Sequence, residues 1–213
     1  ILEDFTKEVS AIVSELKQSR DYDGDSDFGG MTTKAQVEIV KTHLEDAINK
    51  GATLLHGQEW DKQSELIPAL VLTNVTDDML IAHEETFGPI IPIMSFRDES
   101  EVVSRAKQSI DGLSASVWSH DQKRCDRVAR GLDVGNVSIN NVMLTEGNHY
   151  LPFGGQKQSG IGRYKGVHGL RTFCNMKSIL IDNDSKKIEA NWFPYSKKKY
   201  QLFSKMTDGA FGG

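Results

Sequence analysis

The chain has 213 residues, two cysteines and a formal net charge of -5. That length allows one good core and at most two small domains, and the acidic balance gives no electrostatic case for nucleic acid or an anionic membrane as partner. No apolar run approaches the roughly 20 residues that span a bilayer, and the amino end, with acids and lysines mixed, does not read as a signal peptide.

Leu2, Phe5, Val9, Ile12, Val13 and Leu16 recur at helical spacing and predict an amphipathic helix over 2–18. A chain that begins inside a helix, at Ile1, suggests a fragment. Asp21, Asp23, Asp25 and Asp27 then alternate around Gly24. A calcium loop of the EF-hand type needs Gly at its sixth position and Glu at its twelfth. Ser26 and Thr32 stand there, so the stretch reads as an acidic turn into Phe28-Gly29-Gly30. A second helix from about Thr33 carries the stripe Val37, Val40, Leu44, Ala47 and Ile48, and Lys50-Gly51 stops it. Thr53-Leu54-Leu55 and Ala69 to Thr73 predict strands, with Trp60 as an anchor between them. His56 has no catalytic partner in sequence and reads as a surface or satisfied polar group.

Glu84-Glu85-Thr86-Phe87-Gly88-Pro89 breaks this scaffold pattern. Two adjacent carboxylates and a ring precede a Gly-Pro turn, and the apolar run from Ile90 follows as a buried strand over Ile90 to Phe96, begun rather than broken by Pro92. An ionised carboxylate is an acceptor only, so its two oxygens suit a vicinal diol such as a ribose. A phenyl ring suits a flat heterocycle. The bland alternative is a solvated acidic turn with Phe87 anchored in the core.

From there strand and helix alternate. Asp98-x-x-Glu101 is a capping box for a helix with Val102, Val103 and Ala106 on its inner face. Ser114 to Trp118 is a strand, Asp121 caps a helix carrying Cys125, Val128, Ala129 and Leu132, and Val137 to Ile139 is a strand. The alternation predicts an α/β fold, an open and largely parallel twisted sheet with flanking helices. Ligands at such sheets bind in loops beyond the strand carboxyl ends.

The Asn- and Gly-rich region from Asn140 to Leu170 reads mostly as loop, with a short helix around Val167 to Phe173. It fails both nucleotide fingerprints: Ile161-Gly162 follows Gly160 where a P-loop has Lys-Ser, and Lys165 stands where G-x-G-x-x-G needs its last glycine. Its glycines point instead to a tight backbone passage. Met176 to Asp182 reads as a last strand. The lysines at 186–187 and 197–199 read as solvated. The aromatic tail with Trp192, Phe193, Pro194, Tyr195 and Tyr200 suits either intramolecular packing or an oligomer contact.

Cys125 and Cys174 make neither a metal motif nor a disulfide framework, so no metal is expected, and a reducing, cytoplasmic setting is. Cys125 has Lys123, Arg124 and Arg127 beside it but falls on a buried helical stripe. Cys174 reads as core.

Three segments in order, Glu84 to Pro89, Gly135-x-Val137-x-x-Asn140, and Pro152-Phe153-Gly154-Gly155-x-x-x-Ser159-Gly160-x-Gly162, resemble the NAD(P)-dependent aldehyde dehydrogenases. The resemblance covers nearly the whole chain but only the carboxyl-terminal part of the family's polypeptide. His149 with Leu151-Pro152-Phe153 looks more like the fatty-aldehyde type than the mitochondrial type, while Lys157 and Arg163 suit other subgroups.

The resemblance implies an organisation: residues 1–175 as a catalytic-domain portion lacking the nucleophile segment, and 176–213 as an oligomerisation strand and aromatic tail. It implies a reaction, in which a cysteine thiolate attacks an aldehyde, hydride passes to NAD or NADP, and a glutamate-activated water frees a carboxylic acid. Glu85 would hold the nicotinamide ribose and Phe87 would pack at the nicotinamide. Phe153 would line the aldehyde tunnel, with Asn140 near it in a structural role. No catalytic residue is expected in this chain, which alone is expected to be inactive. The expected partners are an aldehyde and further copies of the chain, as a homodimer or homotetramer. The alternative is a non-catalytic interaction module derived from that family.

Overall fold

The computed structural model describes residues 1–20, 24–182 and 192–211, the last two without their side chains. The chain divides into two units, Ile1–Phe173 and Cys174–Gly213. In chain order the first unit contains α1 (Leu2–Glu15), α2 (Lys34–Asn49), β1 (Thr53–His56), β2 (Leu70–Thr73), α3 (Leu80–His83), β3 (Ile90–Pro92), α4 (Glu99–Gln108), β4 (Asp111–Gly112), β5 (Ser114–Val117), α5 (Gln122–Gly131), β6 (Asn136–Ile139), α6 (Leu144–Gly147), β7 (Gln156–Lys157) and α7 (Gly166–Thr172). The second contains α8 (Lys197–Phe211).

Local chemistry sets the helix ends. Thr33 Oγ1 accepts from the Gln36 amide and starts α2, which gives way to Gly51 at φ +103°. Asp98 accepts from the Glu101 amide at 2.9 Å, and Glu101 accepts from the Arg97 amide at 3.0 Å. This is a capping box displaced by one residue at its return bond. Asp121 accepts from the amides of Lys123 and Arg124 and starts α5.

The core forms on both sides of β2, because successive strand side chains alternate faces. Leu70 and Leu72 pack with Val37, Val40, Leu44 and Ala47 of α2. Ala69 and Val71 pack with Val13 of α1 and with Ile93. Each fully buried Leu contributes about 1.5–3 kcal/mol. Ile48, expected on the α2 stripe, is 41% exposed. It lies a helical step beyond Ala47, while the stripe itself takes in His43, which is 3% exposed.

The strands form three small sheets: β1-β2-β3, β4-β7 and β5-β6. The β2–β3 and β5–β6 pairs are parallel, and the β1–β2 and β4–β7 pairs antiparallel. The class is thus α/β with parallel pairing and flanking helices, its strands distributed over separate sheets. The strand expected over Ile90 to Phe96 is shorter and ends at Pro92 instead of beginning there. Proline donates nothing to a ladder, and one further bond, from Ile93 N to Leu72 O at 2.8 Å, follows it.

In the second unit, the strand expected over Met176 to Asp182 does not form among the described residues. A strand exists only through a hydrogen-bonded neighbour, and this segment has none among the described residues; Met176, Ile179, Leu180 and Ile181 are 77–94% exposed. Cys174, expected in the core, is exposed, with no sheet there to cover it. The tail contains α8, which opens on Lys197, Lys198 and Lys199, with Tyr200 74% exposed. Phe193 and Tyr195 face each other with ring centroids 4.7 Å apart. Asp21, Asp23, Lys186 and Lys187 lie outside the described residues. Asp27 accepts from the Lys17 amide at 2.8 Å, and no group of three or more metal-ligating residues occurs among the described residues.

Candidate functional site

The loop between α3 and β3 is held from one side by α2. Gln36, Val40 and His43 are spaced four and three residues apart, so they share one helix face. His43 Nδ1 lies 2.9 Å from Thr86 Oγ1, and His43 Nε2 lies 3.4 Å from a Glu84 carboxylate oxygen. Gln36 Nε2 donates to the Thr86 carbonyl. Gly88 presses on the same face: a Cβ there would stand 2.4 Å from Val40 Cγ2, so only glycine fits.

This clamp takes the residues on either side of Glu85 and of Phe87. Glu84 turns to His43 and Thr86 turns to α2, so the two adjacent carboxylates do not act together. Glu85 is exposed, with no hydrogen bond or ion pair to any described residue. Phe87 is 73% exposed at φ +45°. A left-handed conformation at a bulky residue costs on the order of 1–3 kcal/mol and persists only where its surroundings enforce it. The reading of Phe87 as a core anchor is therefore overturned.

Glu85 lines a cleft of about 560 Å³ with Asp111, Gly112, Leu113, Gln158 and Ser159 among the other walls. The structure thus joins the Glu85 loop to the Ser159-Gly160 end of the glycine-rich segment. Ser159 Oγ accepts from the Gly112 amide at 2.9 Å. Lys157 Nζ donates to the carbonyls of Lys107 and Ser109, at 3.0 and 2.8 Å. It thereby closes the carboxyl end of α4, where a cation also suits the helix dipole.

The glycines of this segment work in two ways. Gly160 and Gly162 adopt φ +138° and +81°, which favour glycine. Gly154 and Gly155 are needed for space instead: a Cβ would meet Gly162 O at 2.6 Å and Ser159 O at 2.4 Å. The tightest passage is between segments, where a Cβ on Gly135 would lie 1.7 Å from Gly154 O. Beside it the buried Asn136 donates its amide to Leu113 O at 2.8 Å and Gly154 O at 3.0 Å. Arg163 donates to the carbonyls of Gly155 and Gly162.

Asn140 and Phe153 do not line the Glu85 cleft. Asn140, at φ +51°, spends its side chain on the scaffold, accepting from the Ser119 amide at 3.0 Å and donating to the Ser119 carbonyl at 3.1 Å. Phe153 is 8% exposed, edge-on to Tyr164 at 5.5 Å. Lys165 Nζ sits 5.7 Å from its ring centroid. Lys165 also pairs with Glu146 at 2.6 Å and holds that carboxyl below its ordinary range. Cys125 is fully buried, its Sγ 3.6 Å from Ser119 O, which disqualifies it as an exposed thiolate.

Sequence reasoning missed His43 and Gln36. A signal existed for His43: it sits three residues after Val40 and four before Ala47, a polar residue on an apolar stripe. Such a group must find partners when buried, and it finds them on the Glu85 loop.

The family model described as the aldehyde dehydrogenase family matches residues 1–179. Among curated proteins, a 4,4'-diapolycopene aldehyde oxidase of a Methylomonas species is 42% identical over 94% of this chain and 37% of its own length. A 3-sulfolactaldehyde dehydrogenase of Pseudomonas putida is 35% identical over 85% of this chain and 37% of its own length. Among solved structures, a Staphylococcus aureus betaine aldehyde dehydrogenase in complex with NAD+ aligns with a TM-score of 0.78 at 30% identity, covering 92% of this chain and 40% of that one. The succinate-semialdehyde dehydrogenase of Burkholderia pseudomallei aligns at 0.75 and 38% identity, covering 80% of this chain and 35% of that one.

Proposed function

We infer that this chain, a member of the aldehyde dehydrogenase family, contributes the nicotinamide-side wall of the site in an enzyme that oxidises an aldehyde to a carboxylic acid with NAD or NADP. The observation that carries this reading is the exposed, partnerless Glu85 beside an enforced, exposed Phe87 on one clamped loop. The residues fit the cofactor: a carboxylate with both oxygens open matches two ribose hydroxyls, and an exposed phenyl face matches a flat ring. When bound, NAD(P) supplies the hydride acceptor. Glu85 accepts from the ribose hydroxyls and fixes the sugar, and Phe87 bounds the ring so that one face meets the substrate carbon. Phe153 backs the aldehyde side, and Asn140 holds the ends of β5 and β6 together through Ser119.

In the whole enzyme a cysteine thiolate would add to the aldehyde, the thiohemiacetal would give its hydride to bound NAD(P)+ and become a thioester, and water would hydrolyse that to acid and thiol. Cys125 is buried and does not suit that step. We assign the nucleophile and general base to sequence beyond this chain, and the isolated chain is expected to be inactive. The exposed Met176, Ile179, Leu180 and Ile181 support pairing with another copy, as a dimer or tetramer, and the low cysteine count supports a reducing cytoplasmic setting. The same exposed residues also favour the second reading, a non-catalytic interaction module.

Kinetics of the full-length protein that carries this chain test the proposal. Glu85→Gln keeps the size and removes the charge; it is expected to raise KM for NAD(P) and lower kcat/KM for it by about 10–100-fold, two charge-assisted bonds being weakened. Unchanged cofactor kinetics would remove Glu85 from the cofactor site, whereas a full-length protein with no dehydrogenase activity would favour the interaction module.

A further inference from the structure

We propose that His43 is a positioning residue for cofactor binding: from α2 it sets the Glu85–Phe87 loop through Thr86. This rests on the reading of Glu85 and Phe87 as cofactor residues and extends it to a helix that supplies no group to the cleft.

The argument is geometric. His43 is 3% exposed and lies on the apolar face of α2, where a Leu would serve packing better. A polar ring is kept there only if its nitrogens are used, and both face the loop: Nδ1 toward Thr86 Oγ1 at 2.9 Å and Nε2 toward Glu84 at 3.4 Å. The Thr86 bond is the dominant one, because the Glu84 contact is longer and its carboxylate is 61% exposed, where water competes. Thr86 is also gripped through its carbonyl by Gln36. Thr86 lies between Glu85 and Phe87, so its orientation dictates theirs: with residue 86 turned inward, 85 and 87 turn out. The left-handed backbone at Phe87 needs such enforcement on both sides, and Gly88 against Val40 supplies the other. A freed loop would relax Phe87 out of its conformation and move the Glu85 carboxylate with it.

Steady-state kinetics of the full-length protein test this, with NAD(P) and aldehyde varied separately and three variants compared with Glu85→Gln. His43→Leu keeps the packing and removes both nitrogens. It is expected to raise KM for NAD(P) about tenfold, the worth of one buried hydrogen bond, and to leave KM for the aldehyde unchanged. His43→Asn places an amide nitrogen near the Nδ1 position and is expected to restore the cofactor KM to within about twofold. His43→Gln, which reaches toward Glu84 instead, should not. Should His43→Leu fail to fold, Thr86→Val removes the same bond from the loop side and carries the same expectation.

A merely structural histidine predicts a lowered melting temperature with both KM values shifted alike or neither shifted, and that result overturns the proposal. The reading beneath it fails separately. If Glu85→Gln leaves the cofactor KM unchanged, Glu85 is not a cofactor residue, whatever His43 does. If Glu85→Gln raises it and His43→Leu and Thr86→Val do not, the loop binds cofactor without needing His43.

Discussion

The two halves of the first unit are held together by different physics. Up to Ile93 the chain is specified by apolar burial: both core clusters draw on Val13 through Ile93, and α2 meets β2 through residues of near-zero exposure. From Asp98 onward the only buried apolar side chains among the described residues are Cys125 and Phe153. That half is held by backbone approach and polar bonds: Gly135 on Gly154, Asn136 bridging Leu113 and Gly154, Arg163 on two carbonyls, Lys157 on the end of α4, and Arg127 forked onto Glu99 at 2.6 and 2.8 Å. The cleft with Glu85 lies where the halves meet. A loop from the well-packed half carries the carboxylate, and the polar half supplies the opposite wall. A rigid apolar scaffold suits a strained loop, whereas glycine-lined backbone leaves room for a ligand beside it.

The sharpest way to break this comparison is to delete side chains from each half. Leu70→Ala opens a cavity in a site with no exposure and is expected to cost about 2–5 kcal/mol. Leu132→Ala, at the half-buried end of α5, is expected to cost less than about 1.5 kcal/mol, since a partly exposed side chain loses less transfer energy. Urea denaturation of the chain measures both. Equal losses would mean that the second half has an apolar core of its own.

Adding atoms tests the polar half by the opposite route. Gly135→Ala places a methyl 1.7 Å from the Gly154 carbonyl, backbone against backbone, and one of the two segments must move. Overpacking of this kind costs about 1–3 kcal/mol or more. Gly147→Ala meets nothing within 4 Å and lies in α6, where alanine is better by up to about 1 kcal/mol. The pair, compared by thermal unfolding, separates steric need from generic glycine effects. A harmless Gly135→Ala would sink the idea that close passage holds this half.

The same contrast explains what the sequence could tell. Apolar periodicity gave away α1, α2 and β2, and capping residues gave away the starts of α4 and α5, because those signals are local. The Glu85 loop was legible through its residue types, Glu-Glu-x-Phe-Gly-Pro. Its support was not, since the pairing of His43 with Thr86 spans 43 residues and no local pattern encodes it. The glycine-rich segment was legible as a tight passage. Only the fold distinguishes the glycines needed for their dihedral, Gly160 and Gly162, from those needed for their missing Cβ, Gly154 and Gly155. The stretch from Met176 to Asp182 looked like a strand because its residues favour one. A ladder needs a neighbour, which composition cannot supply. The helical tail was missed because aromatic composition drew the eye away from the spacing of Tyr200, Phe203 and Met206.

Acid should expose the difference with the least perturbation. In the polar half the carboxyls of Asp98, Glu99, Glu101 and Glu146 sit below their ordinary range. The largest causes are, in order, a bond from Ser100, the Arg127 fork, a bond from Arg97 and a bond from Lys165. A carboxyl whose folded pKa lies below its unfolded value adds stability that is complete above the unfolded pKa, about 4. That stability is lost as pH falls through the folded value. The apolar half has Asp46 and Asp78 in the same state, but its two hydrophobic clusters contain no carboxyl. Two tryptophans report separately: Trp60, 8% exposed in the first half, and Trp118, 64% exposed after β5. With Trp192 and one of these replaced by Phe in turn, lowering the pH below about 4 should change Trp118 emission before Trp60 emission. Glu99→Gln, which removes the Arg127 fork, should shift the Trp118 transition toward higher pH and leave that of Trp60 in place. Coincident transitions would mean that the two halves unfold as one, and that the charged network does not set the acid limit.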